Sequence, residues 1–102
     1  AEVSYRQVLQ IKPDFAEAHS NLGATLMDLG RLDEAEASCR RALEIKPDYA
    51  EGHSNLGATL HALGRLDEAE VSYRRGLQIK PHWASLYFNL HSLLLNPDDM
   101  TP

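Results

Sequence analysis

A chain of 102 residues with 43% apolar content has room for one small domain, and its net charge of −5 makes it a poor partner for the phosphates of nucleic acid. No run of about 18 apolar residues is present, which argues against a membrane-spanning helix. A single cysteine excludes an internal disulfide and suits a reducing, cytoplasmic setting.

Ala1 to Ile11 reads as a helix with Tyr5, Val8 and Leu9 on one face. Lys12-Pro13 ends it, because proline lacks the N–H and disfavours helix in the residue before it. Asp14 with Glu17, and Asp48 with Glu51, read as capping boxes for the helices that follow, Ala16–Leu29 and Tyr49–Leu63. Asp33/Glu36 and Asp67/Glu70 read the same way for helices over 33–45 and 67–79; as paired carboxylates these residues are caps rather than catalysts. Gly30 is placed to close a helix in the left-handed conformation. A sixth helix, Trp83–Leu95, has a weaker start, because His82 and Ser85 replace the capping pair; Asn96-Pro97 is expected to stop it. Gly23 and Gly57 lie in mid-helix, where glycine costs about 1 kcal/mol against alanine. That implies close approach of another helix, with Ala35, Ala42, Ala69 and Gly76 as the facing small residues. Leu22, Leu26, Leu29, Leu32, Leu43 and Ile45 are expected to fill the space between units. Cys39 occupies the place of Tyr5 and Tyr73 and reads as a buried thiol.

These elements repeat. Ala16–Tyr49 and Ala50–Trp83 are identical at 25 of 34 aligned positions, and residues 1–15 match 69–83 at 11 of 15. Internal repetition at a fixed period determines the architecture. The chain parses as half a unit (1–15), two units (16–49 and 50–83), then half a unit and a tail (84–102). It lacks an initiator Met and begins inside a unit, so it is expected to be a piece of a longer protein. With Leu22, Gly23, Leu26, Ala35, Ala42 and Pro47, then Leu56, Gly57, Leu60, Ala69, Gly76 and Pro81, the unit resembles the tetratricopeptide repeat. The resemblance implies an all-α solenoid of about six helices. Its helix-turn-helix units would stack into a right-handed superhelix, with the first helix of each unit lining the concave side.

In that family the concave surface is the binding face. Carried onto this chain it comprises Glu17, Ser20, Asn21, Ala24, Met27 and Asp28, then Glu51, Ser54, Asn55, Ala58, His61 and Ala62. The last helix adds Ser85, Phe88, Asn89, Ser92, Leu95 and Asn96. This face has no Lys or Arg. Family members that grip chaperone C-terminal carboxylates use Lys, Arg and Asn here, so that function does not carry over. Asn21, Asn55 and Asn89 form a ladder that either holds the main chain of an extended peptide or bonds between neighbouring helices. The ladder, with AEAHSNLG and IKPDF, resembles the repeats of bacterial O-linked N-acetylglucosamine transferases. The expected function is therefore a non-enzymatic scaffold binding a peptide or protein segment, or alternatively the substrate-presenting part of a glycosyltransferase.

No phosphate loop, HExxH or nucleophile elbow is present, and no cofactor is expected. His19 and His53 sit one unit apart on helices about 8–10 Å apart, too far to share a zinc ion, and read as packing residues; no metal is expected. The end half-units are complementary in register, which predicts weak head-to-tail self-association. His91, standing where Gly23 and Gly57 allow close packing, argues against a perfect fit.

Overall fold

The computed structural model describes residues 1–95, and these form six α-helices and no strand. They are α1 (Glu2–Ile11), α2 (Ala16–Asp28), α3 (Leu32–Ile45), α4 (Ala50–Ala62), α5 (Leu66–Ile79) and α6 (Ala84–Leu94). α2 pairs with α3 and α4 with α5 as hairpins, and α3 and α5 pass the stack on to α4 and α6. α2 and α4 also lie side by side. The result is an elongated array, 54 × 27 × 18 Å. The expected stop at Asn96-Pro97 falls outside the described residues.

The helix ends follow the repeat, with one correction. Asp14, Asp33, Asp48 and Asp67 are not N-caps. The N-cap positions are Phe15, Arg31, Tyr49 and Arg65, and none uses a side-chain cap bond. The Lys-Pro-Asp segment is itself a turn, closed by Phe15 N–H to Lys12 O at 3.3 Å and Tyr49 N–H to Lys46 O at 3.1 Å. That turn leaves the aspartate one residue too early to cap. His19 Nε2 donates to Pro13 O and His53 Nε2 to Pro47 O, both at 2.8 Å. Each imidazole thus satisfies a loop carbonyl. Glu17, Glu51, Asp33 and Asp67 still lie in first turns, where a carboxylate meets the positive end of the dipole.

The C-terminal signal holds in full. Gly30 and Gly64 have φ of 80° and 81°. Gly30 N–H bonds Met27 O at 3.0 Å and Arg31 N–H bonds Leu26 O at 2.9 Å, the paired bonds of a Schellman motif. Gly64 and Arg65 repeat it against His61 and Leu60.

The glycines inside helices mark close approach; Ala35 faces Gly23 as expected, but the nearest neighbours are larger side chains. A Cβ on Gly23 would lie 2.5 Å from Cys39 Sγ and 3.2 Å from Ala35 O. On Gly57 it would lie 2.7 Å from the Tyr73 ring, and on Gly76 2.6 Å from Leu86 of the following helix. Leu26 and Leu60 are 1% exposed, whereas Leu29, expected between units, is 57% exposed. One core cluster joins Cys39, Leu56, Leu60, Ala69, Tyr73, Leu86 and Leu90 across three helix layers. A second holds Leu22, Leu26 and Ala35 under Tyr5 and Leu9.

A ladder of ion pairs ties the second helices together. Arg31 donates to Glu34 of its own helix and, at 2.8 Å, to Glu2 of the unit before. One period later Arg65 donates to Glu68 and, at 2.7 Å, to Glu36. The hydrogen bond from Arg6 holds Glu2 below its ordinary value of 4.5, and the bonds from Arg31 and Arg65 do the same for Glu34 and Glu68. For Glu36, partial burial pushes upward, but the bonds from Arg40 and Arg65 outweigh it. Depressed carboxylate pKa values contribute stability above 4.5 that is lost as pH falls through the folded values. Melting temperature is therefore expected to drop as pH falls below 4.5, and Glu36→Gln to blunt that drop. An equal acid slope in both proteins would show that the ladder is not its source.

Candidate functional site

All ten cationic side chains lie on α1, α3, α5 or the loops; α2, α4 and α6 carry none. Seven of them form ion pairs: Arg6, Arg31, Arg40, Arg41, Arg65, Arg74 and Lys80. The arginine pairs all end on carboxylates of the second helices, which neutralises that side. The side built from α2, α4 and α6 therefore carries carboxylates, amides, hydroxyls and imidazoles.

On α2, Glu17, Asn21 and Asp28 are exposed and Ala24 and Met27 are half-buried. Ser20 is 0% exposed, so it lies beneath this surface and not on it. On α4, His61 and Ala62 are exposed, and Ser54, Asn55 and Ala58 are half-buried. On α6, Ser85 and Ser92 are exposed, Asn89 is half-buried, Phe88 is 71% and Leu95 39% exposed. Asn96 lies outside the described residues.

The asparagine ladder is not uniform. Asn55 Nδ2 donates to Ser20 Oγ at 2.8 Å and to Ser20 O at 3.2 Å. Its main-chain carbonyl accepts from the buried Thr59 hydroxyl at 2.9 Å. Asn55 thus joins α2 to α4, and its amide nitrogen is already occupied. Asn21 is exposed, its side chain open to solvent.

Glu51 is not a bare carboxylate either. Lys80, at the C-cap of α5, pairs with it across a separation of 29 residues. The signal that could have found the pair is the spacing, which Arg31–Glu2 and Arg65–Glu36 share. Lys12, Lys46 and Lys80 also stand over Phe15, Tyr49 and Trp83 at 5.3, 5.2 and 5.2 Å from the ring centres.

Burial pushes the Cys39 thiol up to about 11, where it is a poor nucleophile. Among the described residues no group of three His, Cys, Asp or Glu side chains could hold a metal ion, and no helix is long and apolar enough to cross a membrane.

Solved structures with this architecture are numerous. The first repeat domain of Spaghetti (RPAP3), bound to the HSP90 peptide SRMEEVD, superposes with a TM-score of 0.86 at 24% identity, covering 90% of this chain and 73% of that one; at this identity it shows the fold alone. The first such domain of human RPAP3 gives 0.88 at 25% identity, covering 91% and 73%. A mutant O-GlcNAc transferase from Thermobaculum terrenum gives 0.89 at 30% identity; it covers 96% of this chain, which spans only 20% of that enzyme. No curated protein matches the sequence. Residues 14–82 match the family description Tetratricopeptide repeat. With the 34-residue period, the paired helices and the glycine-mediated close contacts, this match makes the chain a member of the tetratricopeptide repeat family.

Proposed function

We propose that the chain is a non-enzymatic interaction module that holds an extended peptide or protein segment along the face of α2, α4 and α6. The observation that carries this reading is the separation of charge and contact. The arginines are consumed in ladders on the second helices, while Glu17, Asn21, Asp28, His61, Asn89 and Phe88 line the first helices with hydrogen-bonding and apolar groups. An Asn amide can both donate to and accept from a peptide main chain without reading its sequence. The likeness to a domain bound to an HSP90 peptide supports a peptide ligand. Because this face has no cation, the ligand is not of that acidic type. On this reading the chain is one array, with 1–15 as the second half of a unit and 84–102 as a first half and a tail. A second reading, favoured by 30% identity over 96% of the chain to an O-GlcNAc transferase, makes the array the substrate-presenting arm of a glycosyltransferase.

The test is binding of fluorescent SRMEEVD and of SRMQQVN, in which the three acidic side chains are replaced by amides. The amide peptide is expected to bind more tightly, and Asn21→Ala to weaken it about three- to tenfold with helicity intact. Tighter binding of the acidic peptide, or affinity unchanged by Asn21→Ala, would remove α2 from the binding face. Binding to the loop side, seen as amide shifts confined to α3 and α5, would overturn the reading altogether.

A further inference from the structure

On the peptide-binding reading of this face, we infer that Leu86 is a positioning residue: it parts α6 from α4 and so keeps the Ser54–Asn89 pair open to the main chain of an extended peptide. The same pair one unit earlier is closed on itself. Between α2 and α4, Asn55 Nδ2 donates to Ser20 Oγ at 2.8 Å and to Ser20 O at 3.2 Å, and Ser20 is 0% exposed. Ser54 and Asn89 stand one period later and are the same two residue types. Among the described residues they share no hydrogen bond, and Ser54 is only half-buried. α2 and α4 lie side by side, whereas α4 and α6 do not come as close. Both seams lie inside the array and are built alike, since α3 packs on α2 and α4, and α5 on α4 and α6.

The cause lies in one buried pair. In the closed seam the second helix offers Ala42 and the arriving first helix Gly52, both buried. In the open seam the equivalents are Gly76 and Leu86, and Leu86 is 1% exposed. A Cβ on Gly76 would lie 2.6 Å from Leu86 Cδ2, 3.6 Å from Ala50 O and 3.7 Å from His53 Cβ. The tip of Leu86 and the first turn of α4 thus converge on Gly76, at the junction of α4, α5 and α6. Exchanging Ala/Gly for Gly/Leu adds volume there. A close-packed junction takes up added volume by moving a helix outward.

The parted pair has the chemistry of a peptide group's partner. In the closed seam the Asn55 amide already holds a main-chain carbonyl, that of Ser20. The Asn89 amide can donate to the same acceptor when a ligand brings it, and the Ser54 hydroxyl can accept from a ligand N–H. α4 and α6 carry no Lys or Arg, so a neutral peptide group fits this seam better than a carboxylate does.

The experiment exchanges the seam. Gly76→Ala with Leu86→Gly gives α5 and α6 the pair found between α3 and α4. Asn89→Ala is made in the parent and in the exchanged protein, and urea midpoints are compared on the full chain, with far-UV circular dichroism as a folding control. Asn89→Ala is expected to leave the parent's midpoint unchanged and to lower that of the exchanged protein, because only there does it break a bond. Fluorescent SRMQQVN is expected to bind the exchanged protein about three- to tenfold more weakly than the parent. If the double exchange does not fold, Leu86→Ala alone is expected to move both readings in the same direction. Equal midpoint changes in the two backgrounds would show that Leu86 does not part the pair, and the inference would fail with the peptide-binding reading untouched. Unchanged affinity in a protein whose Ser54–Asn89 bond has formed would overturn it equally. A parent that does not bind SRMQQVN at all defeats the peptide-binding reading itself, and the role of Leu86 falls with it.

Discussion

Replacing Gly57 with leucine is expected to lower the melting temperature by roughly 5–15 °C. The glycine lies in the middle of α4, facing the ring of Tyr73, which is 2% exposed and cannot swing away. A Cβ alone would stand 2.7 Å from two ring carbons, and leucine adds three more carbons beyond it. Overpacking of this kind costs about 1–3 kcal/mol or more, against which better helix propensity recovers about 0.8 kcal/mol. At about 4–8 °C per kcal/mol for a domain of this size, the change is easily seen in a thermal melt. Gly64→Ala is the informative contrast. Nothing lies within 4 Å of that position, so only its φ of +81° is strained, at about 1–2 kcal/mol. A Gly57→Leu protein that melted within about two degrees of the parent would show that α4 and α5 can separate freely.

Asn55→Ala is expected to destabilise by about 1–3 kcal/mol, whereas Asn21→Ala leaves stability within about 0.5 kcal/mol of the parent. The two asparagines are one period apart in sequence but differ in what they touch. Removing the Asn55 amide deletes the 2.8 Å bond to Ser20 Oγ and the 3.2 Å bond to Ser20 O. Ser20 is 0% exposed, so no water replaces the lost donor and its hydroxyl is left unpaired in the α2–α4 interface. Asn21 is exposed, and alanine is the better helix former there. Urea midpoints for the two single variants separate the roles. Equal losses in both would mean that Asn21 also carries a structural bond. No loss in either would mean that the Ser20 contact adds nothing to stability.

Much of the fold was legible because its signals are local and occur more than once. Gly30 and Gly64 require a positive φ, and each helix end is built within six residues. The Lys-Pro steps forbid helix by the covalent geometry of proline. Errors arose where a local rule met a second local structure. Asp14 and Asp48 have the residue type of a cap, yet the turn they belong to hands the cap position to Phe15 and Tyr49. The facing partners of the glycines were harder still. Spacing shows that something comes close to Gly57, but whether it is Ala69 or the Tyr73 ring depends on the crossing of two helices.

The candidate site was legible as a face and not as a set of available groups. Sequence by itself determined the period, the hairpins, the helix ends at Gly30 and Gly64, and the placement of every cation off α2, α4 and α6. These follow from propensity, steric limits and a 34-residue repeat, all properties of neighbouring residues in the chain. Only the tertiary structure decided that Asn55 is spent on Ser20, that Lys80 reaches Glu51, and that Leu94 stands open where Leu60 is buried. Identical residues in identical local sequence acquire different roles because burial and hydrogen-bond partners come from the next layer of the stack, and each layer of this chain has a different neighbour.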